Sequence, residues 1–284
     1  MSEQIIRSRR SFIFTPGLKP EMFPKALSSG ADIVCVELED GIAPKDKEEA
    51  RKLALALFET SRIDDDVECI VRINCLREAF GIADIHAILA TDTPPPALML
   101  PKVKTPEEVA LLDTLLTERG HDTRLHVIIE TNAGLEAAFE IAQCSSRIDA
   151  LFFGGVDMAA ELRCENAWEP LLYARSRVVH AAAAAGLDLI DVPYLDLEDM
   201  EGMVVAAKQA KAIGFSGKGS IHPKQIAALN EIFTPNADEI ARARRIIETF
   251  EEADTGLVVI DGKLIEKPVL RDMYRLTAIS DRLR

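Results

Sequence analysis

Eight short apolar runs alternate with eight helical patterns along residues 11–233, and this alternation constrains the fold more than any other feature. Each apolar run is typical of a buried strand that ends at turn residues. The predicted strands are Ser11–Phe14, Ile33–Leu38, Cys69–Ile73, Ala97–Leu100, Leu125–Ile129, Asp149–Phe153, Leu187–Ile190 and Ser216–Ile221. The predicted helices are Pro20–Ser29, Lys45–Phe58, Ile82–Ala90, Pro106–Glu118, Gly134–Gln143, Pro170–Ala185, Leu197–Ile213 and Pro223–Phe233.

This count of units selects one α/β architecture. Eight strand–helix units over about 230 residues match a (β/α)₈ TIM barrel, whose usual length is about 250 residues. A doubly wound open sheet is the alternative. It usually begins with a glycine-rich turn, and Thr15-Pro16-Gly17 is not one. The sequence therefore predicts a barrel over residues 8–235.

A different pattern follows Phe233, and it predicts a C-terminal extension over residues 236–284. Asn236–Ala253 has the spacing of a helix, and Leu257–Ile265 has two apolar arms about an Asp-Gly turn, which predicts a β-hairpin. Pro268–Arg284 predicts a short amphipathic helix at most. Such a segment could cap the barrel, pack on a neighbouring subunit or cover an active site.

Charge and hydropathy narrow the class of protein. The 284 residues include 47 acidic and 33 basic side chains, a formal net charge of −14, with no basic stripe, which argues against binding to nucleic acid. No apolar stretch approaches the roughly 20 residues of a membrane span, and the first residues lack a signal-peptide core. The five cysteines form no CxxC pair, so we expect reduced thiols in a soluble, cytoplasmic protein.

Polar residues cluster where the predicted strands end, which is the face that carries the active site in TIM barrels. They are Glu37, Glu39 and Asp40 at the end of strand two, Arg72 and Asn74 at strand three, Lys102 after strand four, Glu130 after strand five and Asp157 in the loop after strand six. Glu130 and Asp157 offer oxygen ligands without a neighbouring His or Cys, a set that suits Mg²⁺. The alternative is that each carboxylate caps a following helix.

Three other side chains have more than one interpretation. Arg72 lies in an apolar strand, so it needs an anionic partner, which is either Glu37 or Glu39 or a carboxylate or enolate of a substrate. His222 either acts as a base or positions its loop. Arg175 lies on a helix, where it faces either a subunit contact or solvent.

A set of motifs in order along the chain resembles the citrate lyase beta-subunit-like proteins. This branch of the HpcH/HpaI aldolase superfamily includes malyl-CoA and citramalyl-CoA lyases. The motifs extend over most of residues 8–270 and are SFIFTPGLKPEMFPKAL, GADIVCVELEDGIAPKDKEEAR, VRIN, LPKV, IIET, FFGGVDMAAEL, PLLYARSRVV, GFSGKGSIHPKQI and DGKLIEKP.

The resemblance implies a (β/α)₈ barrel that assembles as a trimer or hexamer and uses Mg²⁺ to cleave or form a carbon–carbon bond in a 3-hydroxyacyl thioester. It implies metal binding by Glu130 and Asp157, with Glu39 and Asp40 near the metal's waters, and binding of the thioester oxygen by Arg72. It further implies contacts to coenzyme A or substrate from Lys19, Gly155, Val156 and Met158.

Two positions depart from the family pattern. The family often has Arg where this chain has Lys19, so a coenzyme A phosphate would lose bidentate contacts. Lyases of this family often have Asp where this chain has Glu266. In the family, that Asp enters a neighbouring subunit's site on a lid and moves a proton to or from the acyl group.

The favoured function is therefore a Mg²⁺-dependent acyl-CoA lyase that gives acetyl-CoA or a short acyl-CoA and a 2-oxo acid, glyoxylate or pyruvate. The alternatives are a citrate lyase beta subunit acting on an acyl-carrier protein, a malyl-CoA thioesterase, or a non-catalytic acyl-CoA binding protein. The hairpin and Glu266 argue against the carrier-protein alternative.

Overall fold

Eight parallel strands close into a barrel in the computed structural model, which describes residues 7–60, 66–253, 257–260 and 262–282. The strands are β1 (Ser11–Pro16), β2 (Ile33–Glu37), β3 (Glu68–Arg72), β4 (Ala97–Leu100), β5 (Arg124–Ile129), β6 (Ile148–Phe153), β7 (Asp188–Asp191) and β8 (Gly217–Ser220). Each strand pairs with the next, and β1 pairs with β8 to close the ring. The predicted TIM barrel is confirmed, and all eight predicted strands overlap an observed one.

Helices follow the strands around this barrel. They are α1 (Phe23–Leu27), α2 (Lys47–Thr60), α3 (Ala79–Ala90), α4 (Pro106–Glu118), α5 (Asn132–Glu136), α6 (Ala138–Gln143), α7 (Gly155–Leu162), α8 (Trp168–Ala185), α9 (Met200–Ile213) and α10 (Ile226–Phe233). Helix α7 is absent from the sequence-based prediction, and the single helix expected at 134–143 is two, α5 and α6. No helix in the described part of the chain is long and apolar enough to cross a bilayer.

The barrel interior shows which residues of each strand face inward. Its buried cluster includes Ile33 and Cys35 of β2, Ile70 of β3 and Ile128 of β5. Since successive side chains on a strand point to opposite faces, residues two positions further along lie on the same inner face. The strand period therefore brings Glu37, Arg72 and Glu130 to the carboxyl-terminal mouth of the barrel.

A buried charged cluster closes the opposite, amino-terminal end. Arg9 donates two hydrogen bonds to Glu68, at 2.6 and 3.0 Å, and one to Asp188 at 3.0 Å. His126 lies 2.9 Å from the same Glu68 carboxylate. Burial alone would raise the pKa of Glu68, but His126 and Arg9 hold it well below its usual range. The cluster is part of the barrel's packed core, and the sequence analysis did not identify it.

Residues 231–284 contribute to a second compact unit, separate from the barrel unit of residues 9–230. It contains α11 (Ala237–Glu251), β9 (Leu257–Ile260), β10 (Lys263–Glu266) and α12 (Lys267–Arg282). The predicted hairpin is confirmed because β9 and β10 pair antiparallel, with Ile260 opposite Lys263. Asp261, in the turn of this hairpin, lies outside the described residues. Helix α12 has 16 residues and is longer than the short helix expected.

Candidate active site

Glu37 organises the loop after β2 with both of its carboxylate oxygens. Oε1 accepts the backbone N–H of Glu39 at 2.7 Å and of Gly41 at 3.3 Å. Oε2 accepts Arg72 Nε at 2.5 Å. Glu37 is therefore the structural partner that a buried guanidinium in strand β3 requires.

Arg72 is held as a cation at the mouth of the barrel. Its Nη1 lies 3.3 Å from Glu39, and its guanidinium stacks on the ring of Phe14 at 4.6 Å. Burial opposes its charge, but Glu37 and Glu39 raise the pKa of Arg72 above its usual value. Glu37 and Glu39 thus satisfy Arg72 structurally, and its binding of a thioester oxygen stays a prediction.

Glu130 immediately follows β5 and is almost fully buried, with 3% of its surface exposed. Its Oε1 accepts the backbone N–H of Lys102 at 2.8 Å. Burial, followed by the negative charge of Asp157, raises the pKa of Glu130 to about 8. At neutral pH this carboxyl group carries a proton unless a cation lies against it.

Asp157 lies in the first turn of α7, and not in a loop as the sequence analysis predicted. Burial raises the pKa of Asp157, although Lys102 opposes the increase. The helix escaped prediction because it begins at Gly154-Gly155 and has no capping side chain, so the usual signals of a helix start are missing.

Gly154 lies against Glu130, a contact that was not predicted from the sequence. A Cβ atom at Gly154 would lie 2.2 Å from Glu130 Oε2 and 2.5 Å from Glu130 Cβ, well inside contact distance. Glycine therefore lets the backbone between β6 and α7 approach the carboxylate. The Gly-Gly pair in the motif was the available signal, since glycine often marks a close approach of backbone.

Lys102 connects the remaining acidic residues of the site. Its ammonium group binds Glu39 Oε1 and lies 3.0 Å from Asp40 Oδ1. Burial raises the pKa of Glu39; for Asp40, burial is outweighed by Lys102 and by Glu39, and its pKa is lowered. Through Lys102, Glu39 and Asp40 are thus linked to Glu130, and their place near the waters of a metal stays a prediction.

A buried lysine, Lys47, also holds the loop after β2. Lys47 Nζ donates to the carbonyl oxygens of Leu38 at 3.0 Å and Glu39 at 2.9 Å, and also binds Asn74 Oδ1. Asn74 in turn donates to Asp84 Oδ2 at 2.7 Å. The network joins the loops after β2 and β3. Lys47 was not predicted as part of it, because the charged segment around Lys47 predicts only the exposed start of a helix.

The residues predicted to contact coenzyme A or substrate differ in their exposure. Lys19 is exposed in the loop after β1, at the same end of the barrel as the acidic residues. Val156 is 47% exposed, whereas Gly155 is buried and Met158 is fully buried. Of the three residues on α7, only Val156 presents its side chain to solvent.

Glu266 belongs to the second unit. It ends β10 and is exposed. Its role on a lid over a neighbouring subunit's site stays a prediction.

His222 and Arg175 have structural roles. His222 Nδ1 accepts the backbone N–H of Lys224 at 3.1 Å and so positions its loop. Arg175 is 5% exposed, which corrects the expectation of a surface or subunit contact. Its Nε donates to Asp191 at 3.1 Å, and its guanidinium lies 4.8 Å from the rings of both Phe153 and Trp168.

The donor set of the site fits a hard divalent cation. Glu130 and Asp157 supply carboxylate oxygens at one mouth, and burial raises the pKa of each. Buried carboxylates that repel one another are stabilised by a cation between them. Mg²⁺ prefers one or two such oxygens and keeps several waters, so these residues match its requirements.

Comparison with known proteins identifies the family. Residues 10–223 match the HpcH/HpaI aldolase/citrate lyase family. The chain belongs to this family. Relatives of the chain within this family are named as lyases, so the expected carbon–carbon lyase class is confirmed.

Three curated members of the HpcH/HpaI family resemble this chain over nearly its whole length. The citrate lyase subunit beta of Escherichia coli K12 is 31% identical over 97% of this chain and 94% of its own. The L-malyl-CoA/beta-methylmalyl-CoA lyase of Rhodobacter capsulatus is 33% identical, over 93% and 92%. The mitochondrial citramalyl-CoA lyase of Rattus norvegicus is 31% identical, over 97% and 87%.

Two solved structures have the same fold. RipC from Yersinia pestis has a TM-score of 0.71 and 39% identity, and covers 81% of this chain and 97% of its own. CitE from Mycobacterium tuberculosis, in complex with magnesium, acetoacetate and coenzyme A, has a TM-score of 0.76 and 29% identity, over 95% and 97%.

Proposed function

We propose that the protein is a Mg²⁺-dependent acyl-CoA lyase of the malyl-CoA or citramalyl-CoA type. It cleaves or forms the carbon–carbon bond between a short acyl-CoA and a 2-oxo acid, glyoxylate or pyruvate. The observation that carries the proposal is the pair of buried carboxylates, Glu130 and Asp157, beside the fixed guanidinium of Arg72. The named activities of the relatives and the magnesium and coenzyme A in CitE support it.

The residues divide the chemistry between them. Mg²⁺ bound by Glu130 and Asp157 would supply a Lewis acid for the carboxylate and hydroxyl oxygens of a malyl-like group. Arg72, oriented by Glu37, stabilises the negative charge that develops on the thioester oxygen as the acyl fragment leaves as an enolate. Glu39 and Asp40 accept hydrogen bonds from waters at the mouth.

The remaining proposed contacts to the substrate come from residues at the edge of the site and from a neighbouring chain. We propose that Lys19, Gly155, Val156 and Met158 lie along the coenzyme A and substrate path, with Met158 supporting α7 from the core. The C-terminal extension forms a lid over a neighbouring subunit in a cytoplasmic trimer or hexamer, and Glu266 on that lid moves a proton to or from the acyl carbon.

A citrate lyase beta subunit is the second candidate. The E. coli subunit matches 97% of this chain, so the length of the C-terminal segment does not separate the two functions, contrary to our expectation. Turnover of a free coenzyme A ester by the isolated protein separates them, because the second candidate requires an acyl-carrier protein.

Purified protein with Mg²⁺ is expected to release glyoxylate from malyl-CoA or pyruvate from citramalyl-CoA. Glu130→Ala removes the buried ligand and should abolish turnover, as should chelation of the metal. Glu118→Ala, at an exposed acid near the end of α4, is the matched control and should retain full activity. Release of free coenzyme A with intact malate would instead identify a thioesterase, and full turnover in chelator would refute the metal site.

Mg²⁺ affinity is expected to rise about tenfold per pH unit from about pH 6 to about pH 8 and then level off. The metal needs ionised Glu130, whose pKa is about 8 without a cation, so binding at lower pH must displace a proton. Titration calorimetry in two buffers of different ionisation enthalpy measures that proton; about one should be released near pH 7. Glu130→Gln should lose this pH dependence, and a flat affinity in the unmodified protein would contradict the assignment.

A further inference from the structure

Lys102 adopts a left-handed backbone conformation, with φ of 55°. This conformation is unfavourable for a residue with a side chain and persists only where the surroundings hold it. The chain is fixed on both sides of Lys102, at Leu100 and at Val103. Leu100 ends β4 fully buried, and the carbonyl of fully buried Val103 accepts the Thr131 hydroxyl at 3.2 Å. The chain must therefore turn sharply between these two points.

The turn points the Lys102 N–H at a proposed metal ligand. This N–H lies 2.8 Å from Glu130 Oε1. On the other side of the same carboxylate, Gly154 leaves no room for even a Cβ atom. The carboxylate of Glu130 is thus fixed between the backbone of Lys102 and the backbone of Gly154.

The side chain of Lys102 makes a second, independent set of contacts. Its ammonium group binds both Glu39 and Asp40. These carboxylates belong to the loop after β2, whereas Glu130 follows β5. One residue therefore contacts the acidic groups of two different loops, through its main chain in one case and its side chain in the other.

We infer that Lys102 is a positioning residue of the site: its strained backbone orients Glu130, and its ammonium group holds Glu39 and Asp40. The inference rests on the proposed metal site. Its two contributions are separable, because glycine keeps a left-handed turn without the ammonium group, whereas a β-branched side chain opposes that turn.

Three variants separate the contributions in Mg²⁺ titration calorimetry. Lys102→Val should displace the N–H from Glu130 and weaken Mg²⁺ binding about 10-fold to 100-fold, the usual effect of losing a group that orients a ligand. Lys102→Gly should bind Mg²⁺ at least as tightly as the unmodified protein, since the backbone is kept and a nearby positive charge is removed. Lys102→Arg should restore kcat lost in Lys102→Gly, because it returns a cation to Glu39 and Asp40.

Thermal unfolding of the metal-free protein tests the backbone separately from any activity. The midpoint for Lys102→Gly should exceed that for Lys102→Val. At Lys104, two residues further on with an exposed side chain and no positive φ, the order should reverse. Equal Mg²⁺ affinity in Lys102→Gly and Lys102→Val, or the same order of midpoints at both positions, overturns the inference. Absence of Mg²⁺ binding by the unmodified protein would instead refute the proposed function, while the midpoints would still test the turn.

Discussion

Replacing Gly154 with alanine is expected to reduce kcat/KM by about 100-fold or more, although it removes no polar group. The new methyl group would lie 2.2 Å from Glu130 Oε2, so the carboxylate must move by an ångström or so. It cannot move while keeping its 2.8 Å hydrogen bond from Lys102. Backbone strain is not involved, because φ at Gly154 is −90°, a value that alanine adopts freely.

Steady-state kinetics and Mg²⁺ titration measure this effect together. Mg²⁺ affinity should fall about 10-fold to 100-fold, in parallel with the loss of activity. Gly120→Ala is the control: Gly120 has φ of +71° with open space around it, so alanine there strains a turn and leaves the site unchanged. Unaltered Mg²⁺ affinity in Gly154→Ala would show that the close approach to Glu130 is not needed for binding.

Replacing Asp191 with alanine is expected to destabilise the protein by about 3–5 kcal/mol. Asp191 is 2% exposed and accepts hydrogen bonds from Arg175 Nε at 3.1 Å and Lys218 Nζ at 2.5 Å. Alanine would leave two buried cations, Arg175 and Lys218, without their anionic partner. Burial already lowers the pKa of Lys218, so part of the cost is relieved as Lys218 becomes neutral at higher pH.

Urea denaturation across a range of pH measures the loss of stability in Asp191→Ala. The free energy of unfolding of Asp191→Ala, relative to the unmodified protein, should recover as pH rises. The double variant Asp191→Ala with Lys218→Met should recover more of the free energy of unfolding, because only Arg175 then lacks its anionic partner. Glu198→Ala removes an exposed acid paired with Lys224 and should change stability by less than about 1 kcal/mol. If Asp191→Ala changes the free energy of unfolding as little as Glu198→Ala does, the ion pairs of Asp191 with Arg175 and Lys218 do not stabilise the barrel.

The strands and the proposed ligands were predictable from the sequence for a physical reason. A strand buried on both faces requires a continuous apolar run, so β2, β3 and β5 stand out, and the polar residues at or just after the end of each run must lie at the barrel mouth. Glu37, Arg72 and Glu130 were located in this way. Their pairing was not predictable, because the choice between Glu37 and a substrate as partner for Arg72 depends on distances across the barrel.

Other features depend on contacts that leave little trace in the sequence. The left-handed turn at Lys102 follows from fixing Leu100 and Val103 in the core, whereas lysine alone predicts no such turn. Arg175 was expected at a subunit contact or in solvent from its place on a helix; only the fold brings Asp191 and two aromatic rings around it. Sequence patterns indicate which segments are buried, whereas the turn at Lys102 and the contacts of Arg175 depend on packing between residues far apart in the chain.

Closure of the ring by β1 and β8 has a consequence for the synthesis of the protein. Ser11 pairs with Lys218, so the first strand waits for residues more than two hundred positions later in the chain. Until those residues leave the ribosome, β1 and whichever strand was last completed expose unpaired edges, which are templates for aggregation. A nascent chain that stalls before β8 would carry Glu130 and Asp157 but no closed barrel to hold them. Chaperone capture during translation is therefore expected to peak late, shortly before β8 emerges.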